Sequence, residues 1–298
     1  MRQNFPKKII VLISLFILLV VLGIIFIFMK PKDVPQEELS EIKVTEEKTG
    51  SEYLSLGKSV EGRSIDSYTF GKGKNHLLFV GGIHGGYEWN SVLLAYKFVD
   101  YFTANPKLIP ENLSLTIIPS ANPDGVFKVV GKEGRFTAEE AQVKDTTTGL
   151  GRFNTNNVDL NRNFDCNWQA ESTWRNEVVS AGTIAFSEPE AKALRDFVKN
   201  NTISAAVFFH SQAGAVYASE CNGGVLLRTL DIMNAYSTAS GYKAVKTFDS
   251  YKITGDAEGW LASIGIPAVT VELQTHETIE WERNLAGVKA LFDYYSSK

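Results

Sequence analysis

The sequence of 298 residues lacks several features that whole classes of protein require. Its formal net charge is -4 and it has no cluster of basic residues, so we exclude nucleic acid as a partner. No Gly-x-Ser-x-Gly segment occurs, and the turn that presents the nucleophile of many serine hydrolases is therefore missing. No internal repeat is visible. The 44% of hydrophobic residues suffice for the core of one large domain.

One long hydrophobic run lies near the N-terminus. Ile9–Met29 contains no charge and is long enough to cross a bilayer as a helix. Basic residues precede it and acidic residues follow soon after, which favours a cytoplasmic position for residues 1–8. A signal peptide is the alternative, but no small-x-small cleavage site follows the run. We expect a single-pass membrane anchor with the remaining chain on the extracytoplasmic side.

The chain beyond this run divides into two parts. Residues 30–50 are rich in Glu and Lys with little apolar content, which predicts a flexible linker. Residues 51–298 form the folded domain, which we expect to be a monomer. The only two cysteines are Cys166 and Cys221. In an exported protein they would form one disulfide, and two unrelated buried thiols are the alternative.

Strand-like apolar runs alternate with segments of helical periodicity along the domain. Strands are predicted within 56–70 on both sides of a turn at 61–62, at 76–82, 113–118 and 267–273, and in the apolar run 203–210, where 207–210 ends the strand. Helices are predicted at 89–102, from Ser187 as N-cap onward, and at 224–239, 256–264 and 281–295, with a turn at 122–125 and a long loop at 131–157. The alternation predicts an α/β fold with a mixed, mostly parallel central sheet flanked by helices.

Residues that can bind a metal or move a proton follow three of these strands. His84 comes after the run that starts at position 76, Glu88 lies four residues further on, His210 ends a second run, and Glu272 ends a third. A charge at the end of a buried strand is costly unless something pairs with it or uses it. Open α/β sheets place their sites at such strand ends.

Two histidines and one glutamate are the protein ligands of many catalytic zinc sites. The glycines between His84 and Glu88 permit a tight fold, so that both side chains can face one point. His210 would be the third ligand, which leaves one position for water, and Glu272 would be the general base. Each histidine alone is typical of an ordinary core residue, but together with the two acids they favour one zinc ion per chain. His276 receives no ligand role.

Six motifs occur in one order: Gly81-Gly-Ile-His-Gly-Gly-Tyr-Glu88, Asn122-Pro-Asp-Gly125, Val158-Asp-Leu-Asn-Arg-Asn-Phe164, Phe186-Ser-Glu-Pro-Glu190, His210-Ser211 and Val271-Glu-Leu273. Their order resembles that of the zinc carboxypeptidases of the M14 family, especially its bacterial murein-peptide and γ-glutamyl-peptide members. The resemblance covers roughly residues 52–298, and six ordered motifs are specific where one would be weak. It implies a zinc carboxypeptidase-like fold. It also implies hydrolysis of a peptide, γ-glutamyl or murein stem-peptide bond next to a free C-terminal carboxylate.

The resemblance assigns the metal and the base to individual residues. His84, Glu88 and His210 match the zinc ligands. Glu272 matches the general base that activates the attacking water and passes its proton to the leaving amine. The family usually has two residues between the first two ligands, whereas three separate His84 from Glu88 here. We interpret the difference as one extra loop residue.

Four further residues match substrate-contacting positions of the family. Asn161 and Arg162 match the pair that holds the terminal carboxylate, for which a planar guanidinium is suited. Arg152 matches the arginine that stabilises the oxyanion, and Tyr251 matches the mobile tyrosine that closes over substrate. The alternatives are a surface arginine for Arg152, a salt bridge to Asp159 for Arg162 and a packing role for Tyr251.

The sequence gives little information on which side chain of the substrate is preferred. Counted without gaps from Tyr251, Glu258 falls where the family's digestive members have the residue at the floor of the specificity pocket, and Asp256 lies close by. An acid there would favour an ammonium group, as in lysine, arginine or diaminopimelate. Helix capping after Gly255 is the alternative for Asp256.

Two other classes of function stay open. His84-Gly85-Gly86 resembles the oxyanion loop of lipases, so a serine esterase-like hydrolase is one alternative, against which stands the missing nucleophile turn. A non-catalytic, zinc-containing peptide-binding domain is the other, and Glu272 argues against it because such a domain has no need of that carboxylate. We expect peptide or cell-wall peptide as substrate, and contact with the membrane through the N-terminal helix.

Overall fold

The structure, a computed structural model, describes residues 45–46, 51–141 and 149–297. The hydrophobic run Ile9–Met29 and most of the expected linker lie outside the described residues. Within the described part of the chain, no helix has the length and apolar character needed to cross a membrane. The membrane anchor therefore stays a prediction.

A mixed β-sheet forms the centre of the domain. The strands of the described residues are β1 (Thr45–Glu46), β2 (Ser51–Lys58), β3 (Ser64–Gly71), β4 (Asn75–Val80), β5 (Leu113–Ile118), β6 (Glu171–Trp174), β7 (Glu177–Ser180), β8 (Ile203–Ser211), β9 (Ala215–Ala218), β10 (Glu220–Cys221), β11 (Gly224–Val225), β12 (Lys243–Val245) and β13 (Ala268–Leu273). Nine of them form one sheet in the order β1-β2-β3-β5-β4-β8-β13-β9-β12. The central strands β5, β4, β8 and β13 are parallel neighbours, whereas β1, β2, β3 and β5 pair antiparallel and β9 runs antiparallel to β13. The predicted mixed, mostly parallel central sheet is confirmed, and its central pairings are the parallel ones.

Six α-helices of the described residues connect and cover the strands. They are α1 (Trp89–Ala104), α2 (Pro123–Val130), α3 (Pro189–Asn200), α4 (Leu227–Ser240), α5 (Ala257–Ser263) and α6 (Trp281–Ser296). Short 3-10 helices lie at Gly85–Glu88, Pro106–Leu108 and Leu160–Arg162. The helix predicted from residue 224 begins later, because Gly224–Val225 pairs with Glu220–Cys221 as a small hairpin.

Two local predictions at helix starts were wrong. The predicted turn at 122–125 is the beginning of α2, because Asn122 Oδ1 accepts a hydrogen bond from the Gly125 amide at 2.9 Å. A proline in the first helical turn fits this start, since its missing N–H needs no partner there. Ser187 is not the N-cap of α3. The cap is Glu188, and the Ser187 hydroxyl donates to Glu188 Oε1 at 2.7 Å.

Successive residues of the central strands face opposite sides of the sheet, and each side has its own core. On one side Leu77 and Phe79 of β4 join the apolar residues of α1, α4 and α6. On the other side Leu78 and Val80 join those of α3 and α5. Because both faces are buried, the carboxyl ends of the parallel strands are held as a rigid edge.

A disulfide and backbone hydrogen bonds connect the segments beside that edge. The structure pairs Cys166 with Cys221 in a disulfide that connects the segment after the 3-10 helix Leu160–Arg162 to β10. The Gly255 amide donates to Cys166 O at 2.7 Å, and the Phe164 amide donates to Gly255 O at 2.8 Å. The described residues of the predicted 131–157 loop contain neither helix nor strand.

Candidate active site

The side chains predicted to bind a metal converge at the carboxyl ends of the central strands. His84 follows β4, Glu88 ends the 3-10 helix that begins at Gly85, and His210 lies near the end of β8. Gly85 has φ of +49°, and a Cβ there would lie 2.5 Å from Gly151 O. Only glycine fits this close approach, which brings Glu88 back towards His84.

The three side chains form a compact cluster of donor atoms. His84 Nδ1 lies 2.9 Å from Glu88 Oε1, His210 Nδ1 lies 3.1 Å from Glu88 Oε2, and the two Nδ1 atoms are 3.2 Å apart. All three side chains are buried, and their donor atoms lie within 4.8 Å of one another. Neighbouring ligand atoms of a tetrahedral zinc lie about 3.3 Å apart, given bond lengths of about 2.0–2.1 Å. The donor set and its spacing therefore fit zinc, and the extra residue between His84 and Glu88 does not prevent the convergence.

The cluster is strongly coupled electrostatically. Burial alone would raise the pKa of Glu88, but His84 and His210 outweigh it and hold that pKa far below its usual range. Burial alone would lower the pKa of His210, but Glu88 and Glu258 raise it well above its usual value. Two imidazoles and a carboxylate thus share a water-poor site.

A carboxylate also lies behind each imidazole. Asp159 Oδ1 is 3.5 Å from His84 Nε2, and Glu258 Oε1 is 3.1 Å from His210 Nε2. The structure therefore places Glu258, expected at the floor of a specificity pocket, in direct contact with a predicted metal ligand. Asp256 caps α5, since its Oδ2 accepts from the Gly259 amide at 2.7 Å.

Glu272 lies beside the cluster on the neighbouring strand. In the parallel register of β8 and β13 it is directly opposite His210. Its Oε2 atom is buried and has no hydrogen-bond partner among the described residues. Burial and the charge of Glu88 raise the pKa of Glu272 to about 8. A carboxylate whose pKa lies this close to neutrality is suited to general acid–base work.

Arg152 is a fully buried cation at the same site. Its Nε and Nη2 donate to Asp159 Oδ2 at 3.1 and 2.8 Å, and its Nη1 lies 3.9 Å from Glu88 Oε1. The guanidinium carbon lies 4.6 Å from the centre of the Trp174 ring. The salt bridge to Asp159 that we considered for Arg162 is thus made by Arg152, which is not a surface arginine.

Arg162 and Asn161 are held by backbone groups. Arg162 donates to Thr173 O at 3.0 and 3.2 Å and to Asn161 O at 2.6 Å. Asn161 Oδ1 accepts from the Ala257 amide at 2.8 Å, which links it to the start of α5. Within the described residues Arg162 makes no ion pair with a carboxylate, so its charge is available to a ligand.

One cavity of about 680 Å³ is lined by the donor cluster and by Glu272, Arg152, Arg162 and Glu258. Tyr251 is half-buried on its wall and packs edge-on against Phe248 with ring centres 4.9 Å apart. The residues that we singled out from sequence and that line this cavity are His84, Glu88, Arg152, Asn161, Arg162, Cys166, His210, Cys221, Tyr251, Asp256, Glu258 and Glu272. Its size suits a short peptide segment rather than a whole protein surface.

Among the cavity residues that were not assigned a role from sequence, three make contacts with one another. Trp174 and Arg175 lie at the turn between β6 and β7, a hairpin that was not predicted, and Arg175 Nη2 donates to Tyr87 Oη at 2.8 Å. The Tyr87 ring lies between Trp174, at 5.4 Å, and His276, at 4.8 Å. Only Tyr87 carried a sequence signal, because it lies between two predicted metal ligands.

The hydrogen bonds around His276 fix its tautomer. Asn90 Nδ2 donates to the carbonyls of Thr275 and Thr278, so Asn90 Oδ1 is the acceptor for the Ser211 hydroxyl at 3.0 Å. The single hydrogen of Ser211 is thereby used, and His276 Nδ1 must donate to Ser211 Oγ at 2.7 Å. Burial also lowers the pKa of His276. Its Nε2 is therefore a hydrogen-bond acceptor on a residue that lines the cavity.

A family model described as zinc carboxypeptidase matches residues 40–281. The chain belongs to the zinc carboxypeptidase family. The resemblance that the six motifs suggested is thereby confirmed. The family assignment covers the described sheet from β1 to β13 and each side chain of the donor cluster.

Several curated proteins are similar to this member of the zinc carboxypeptidase family. It is 24% identical over 238 residues to Gamma-D-glutamyl-L-diamino acid endopeptidase 1 of Lysinibacillus sphaericus, across 73% of the chain and 59% of the relative. It is 27% identical over 285 residues to Carboxypeptidase B of Helicoverpa zea, across 81% of the chain and 64% of the relative. The chain spans less than two thirds of the length of either relative.

Solved structures share the fold. Bovine thrombin-activatable fibrinolysis inhibitor, solved with a tick carboxypeptidase inhibitor, matches with a TM-score of 0.67 and 22% identity over 83% of this chain and 90% of that one. Murein-tripeptide amidase MpaA from Escherichia coli O157 matches with a TM-score of 0.58 and 21% identity over 80% of this chain and 91% of that one. At these identities the likeness shows the fold alone.

Proposed function

We propose that the chain is a zinc-dependent metallocarboxypeptidase that hydrolyses a peptide bond next to a free C-terminal carboxylate. The observation that carries the proposal is the convergence of His84, Glu88 and His210 with Glu272 on one cavity wall. Family membership supports the same reaction. The three convergent side chains are the residues that would hold the zinc.

Zinc, when bound, lowers the pKa of water and polarises the scissile carbonyl. Glu272 is the base of the proposal, because its buried Oε2 has no partner among the described residues and is therefore free to accept a proton. It takes a proton from the attacking water and gives it to the leaving amine. The register that places it opposite His210 keeps it close to the metal ligands.

Three polar side chains orient the substrate in this proposal. Arg162, which has no carboxylate partner among the described residues, binds the terminal carboxylate together with Asn161. Arg152 stabilises negative charge on the scissile carbonyl from its position near Glu88. Its salt bridge to Asp159 keeps the guanidinium in place during the reaction.

Cell-wall stem peptides are the substrates that we propose ahead of general protein tails. Support comes from the names of two similar proteins, the γ-D-glutamyl-L-diamino acid endopeptidase and the murein-tripeptide amidase. A membrane anchor at Ile9–Met29 would hold the domain outside the cell, where such peptides occur. The cleaved bond is then an α-peptide bond or a γ-glutamyl amide.

The decisive variant is Glu272→Gln in the full-length protein, purified in detergent. We expect turnover of free-carboxylate peptides and muropeptides to fall by about 10³-fold or more, because the base is lost, while one zinc per chain stays bound. Peptide amides, which lack the carboxylate for Arg162, serve as control substrates and should be cleaved poorly by the wild type. Equal turnover by the Gln variant would remove Glu272 from the mechanism.

A metal chelator distinguishes a zinc-dependent peptidase from a serine hydrolase, because a serine hydrolase would keep its activity when the chelator is added. The structure gives a serine nucleophile little support. Ser211 lies 2.7 Å from His276, but its hydrogen is directed to Asn90. We therefore expect a chelator to abolish turnover and added zinc to restore it.

A further inference from the structure

We propose that Glu258 positions the zinc ligand His210, and that it does not select substrates with a basic side chain. The inference rests on the zinc site of the proposed function. Glu258 is 3% exposed, and its Oε1 lies 3.1 Å from His210 Nε2. That nitrogen is on the side of the ring opposite Nδ1, the atom that belongs to the donor cluster.

The Glu258 contact determines the tautomer of His210. A carboxylate only accepts hydrogen bonds, so His210 must carry its hydrogen on Nε2. In the neutral imidazole, the form that binds a metal, Nδ1 is then the atom with a free lone pair, and it faces Glu88 and His84. A carboxylate behind a metal-binding imidazole fixes the ring orientation and makes the other nitrogen a better ligand.

Glu258 is itself held in this position. Thr270 Oγ1 donates to the same Oε1 atom at 2.9 Å. Thr270 lies on β13, two residues before Glu272, and His210 lies on the adjacent β8. Glu258 therefore bridges the strand of the ligand and the strand of the base. Its Oε1 already receives two hydrogen bonds, so that oxygen is not available to a substrate ammonium.

The carboxylate contact of the other imidazole, His84, is weaker than the contact between Glu258 and His210. Asp159 Oδ1 lies 3.5 Å from His84 Nε2, beyond a good hydrogen bond, and Asp159 also pairs with Arg152. Among the ion pairs of the described residues, Glu258 pairs only with His210. His210 is therefore the cation that Glu258 balances. Loss of Glu258 should affect metal binding directly.

The test is zinc affinity, measured by competition with a chromogenic chelator on the full-length protein in detergent. Removal of an outer partner of a metal ligand typically weakens metal binding by about 10–100-fold. We expect that loss for Glu258→Ala, a smaller loss for Glu258→Gln, which keeps an acceptor, and a smaller loss again for Thr270→Val. If the Glu258 variants fail to fold, Thr270→Val still tests the position of Glu258, because it removes the hydrogen bond that holds this carboxylate.

Asp256→Asn is the matched control. Asp256 is a second acid two residues away that lines the same cavity, and it caps α5 without a contact to His210. Asparagine is an equally good cap, so the helix should persist. Zinc affinity of this variant should stay within about twofold of wild type, because no metal ligand loses a partner.

Substrate preference provides the second readout. With zinc at saturation, the ratio of kcat/KM for C-terminal lysine over leucine peptides should be the same in Glu258→Gln and wild type. The proposal is overturned if both Glu258 variants bind zinc as tightly as wild type. A large fall in the lysine to leucine ratio at full zinc loading would also overturn it. Since the zinc titration needs no turnover, a chain that cleaves no peptide would refute the proposed function and leave this inference standing.

Discussion

At the scale of single residues, the buried charge of Arg152 is balanced by a carboxylate nearby in the chain. Arg152 is 2% exposed, and Asp159, seven residues further on, neutralises it. A guanidinium left without its carboxylate in such a place would cost several kcal/mol. The same pairing keeps the Arg152 guanidinium near Glu88, where the proposed reaction requires it.

Asp124 permits a prediction on pH. Burial would raise its pKa, but hydrogen bonds from Ser59, Arg63, the Glu61 amide and Thr155 outweigh it and hold the pKa below its usual range. A carboxylate with a lowered folded-state pKa stabilises the protein above its unfolded pKa of about 3.9. That stabilisation disappears as pH falls through the folded-state pKa.

We therefore expect Asp124→Asn to lower the free energy of unfolding by about 1–3 kcal/mol at pH 7. The difference from wild type should shrink as pH falls below about 4. Urea unfolding at a series of pH values measures both quantities, with Asp165→Asn, an exposed acid, as control. A difference that is the same at pH 3 and pH 7 would contradict the electrostatic explanation.

The sequence alone predicted those site residues that lie at the end of a strand or at the start of a helix. His84, His210 and Glu272 were marked by their place after apolar runs, and Asp256 by its place before a helix. The partner of Glu258 was not predictable, because His210 is 48 residues away and meets it only through the packing of α5 on the sheet. Counting positions along the chain could not reveal that contact.

Strands and helices of regular periodicity were predictable at the scale of the elements. β5 occurs at the predicted residues, and α1 and α6 extend the predicted helices by only one or two residues. Errors arose where a short polar motif is compatible with two local structures. The motif at Asn122 fits a turn or the start of a helix, and Ser187 could be the N-cap or the residue before it. The β6–β7 hairpin has only four residues in each strand, too few for a periodic signal.

The disulfide between Cys166 and Cys221 links two elements that border the cavity, and it leads to a prediction on stability. The cysteines are 55 residues apart, and closing a loop of this length stabilises the folded state by about 4 kcal/mol at most. We expect the Cys166→Ser/Cys221→Ser double variant to lose about 2–4 kcal/mol of unfolding free energy. Urea unfolding with and without a thiol reductant measures this.

The reductant provides the control for the disulfide. Wild type should be destabilised by reduction to the level of the double variant, and the double variant should not respond. Equal stability of oxidised and reduced wild type would show that the disulfide contributes nothing to the domain.

At the scale of the whole fold, the described residues 51–297, with a gap at 142–148, form an α/β domain in which a parallel sheet centre, covered on both faces, presents one edge to the cavity. Residues far apart in the chain meet there because β4, β8 and β13 are adjacent and parallel. Ordered motifs predicted this architecture from sequence. The extracytoplasmic location and the membrane anchor depend on Ile9–Met29, outside the described residues, and stay predictions.

The central claim is that His84, Glu88 and His210 together hold one zinc ion, and metal content measures it most directly. The samples are the full-length wild type and the single alanine variants of these three residues. Each would be dialysed against buffer with trace zinc, and its metal content would be measured by inductively coupled plasma mass spectrometry. The account predicts one zinc per wild-type chain and a strong loss in each variant, with the His276→Ala control unchanged. Full zinc content in all three variants, or none in the wild type, would contradict it.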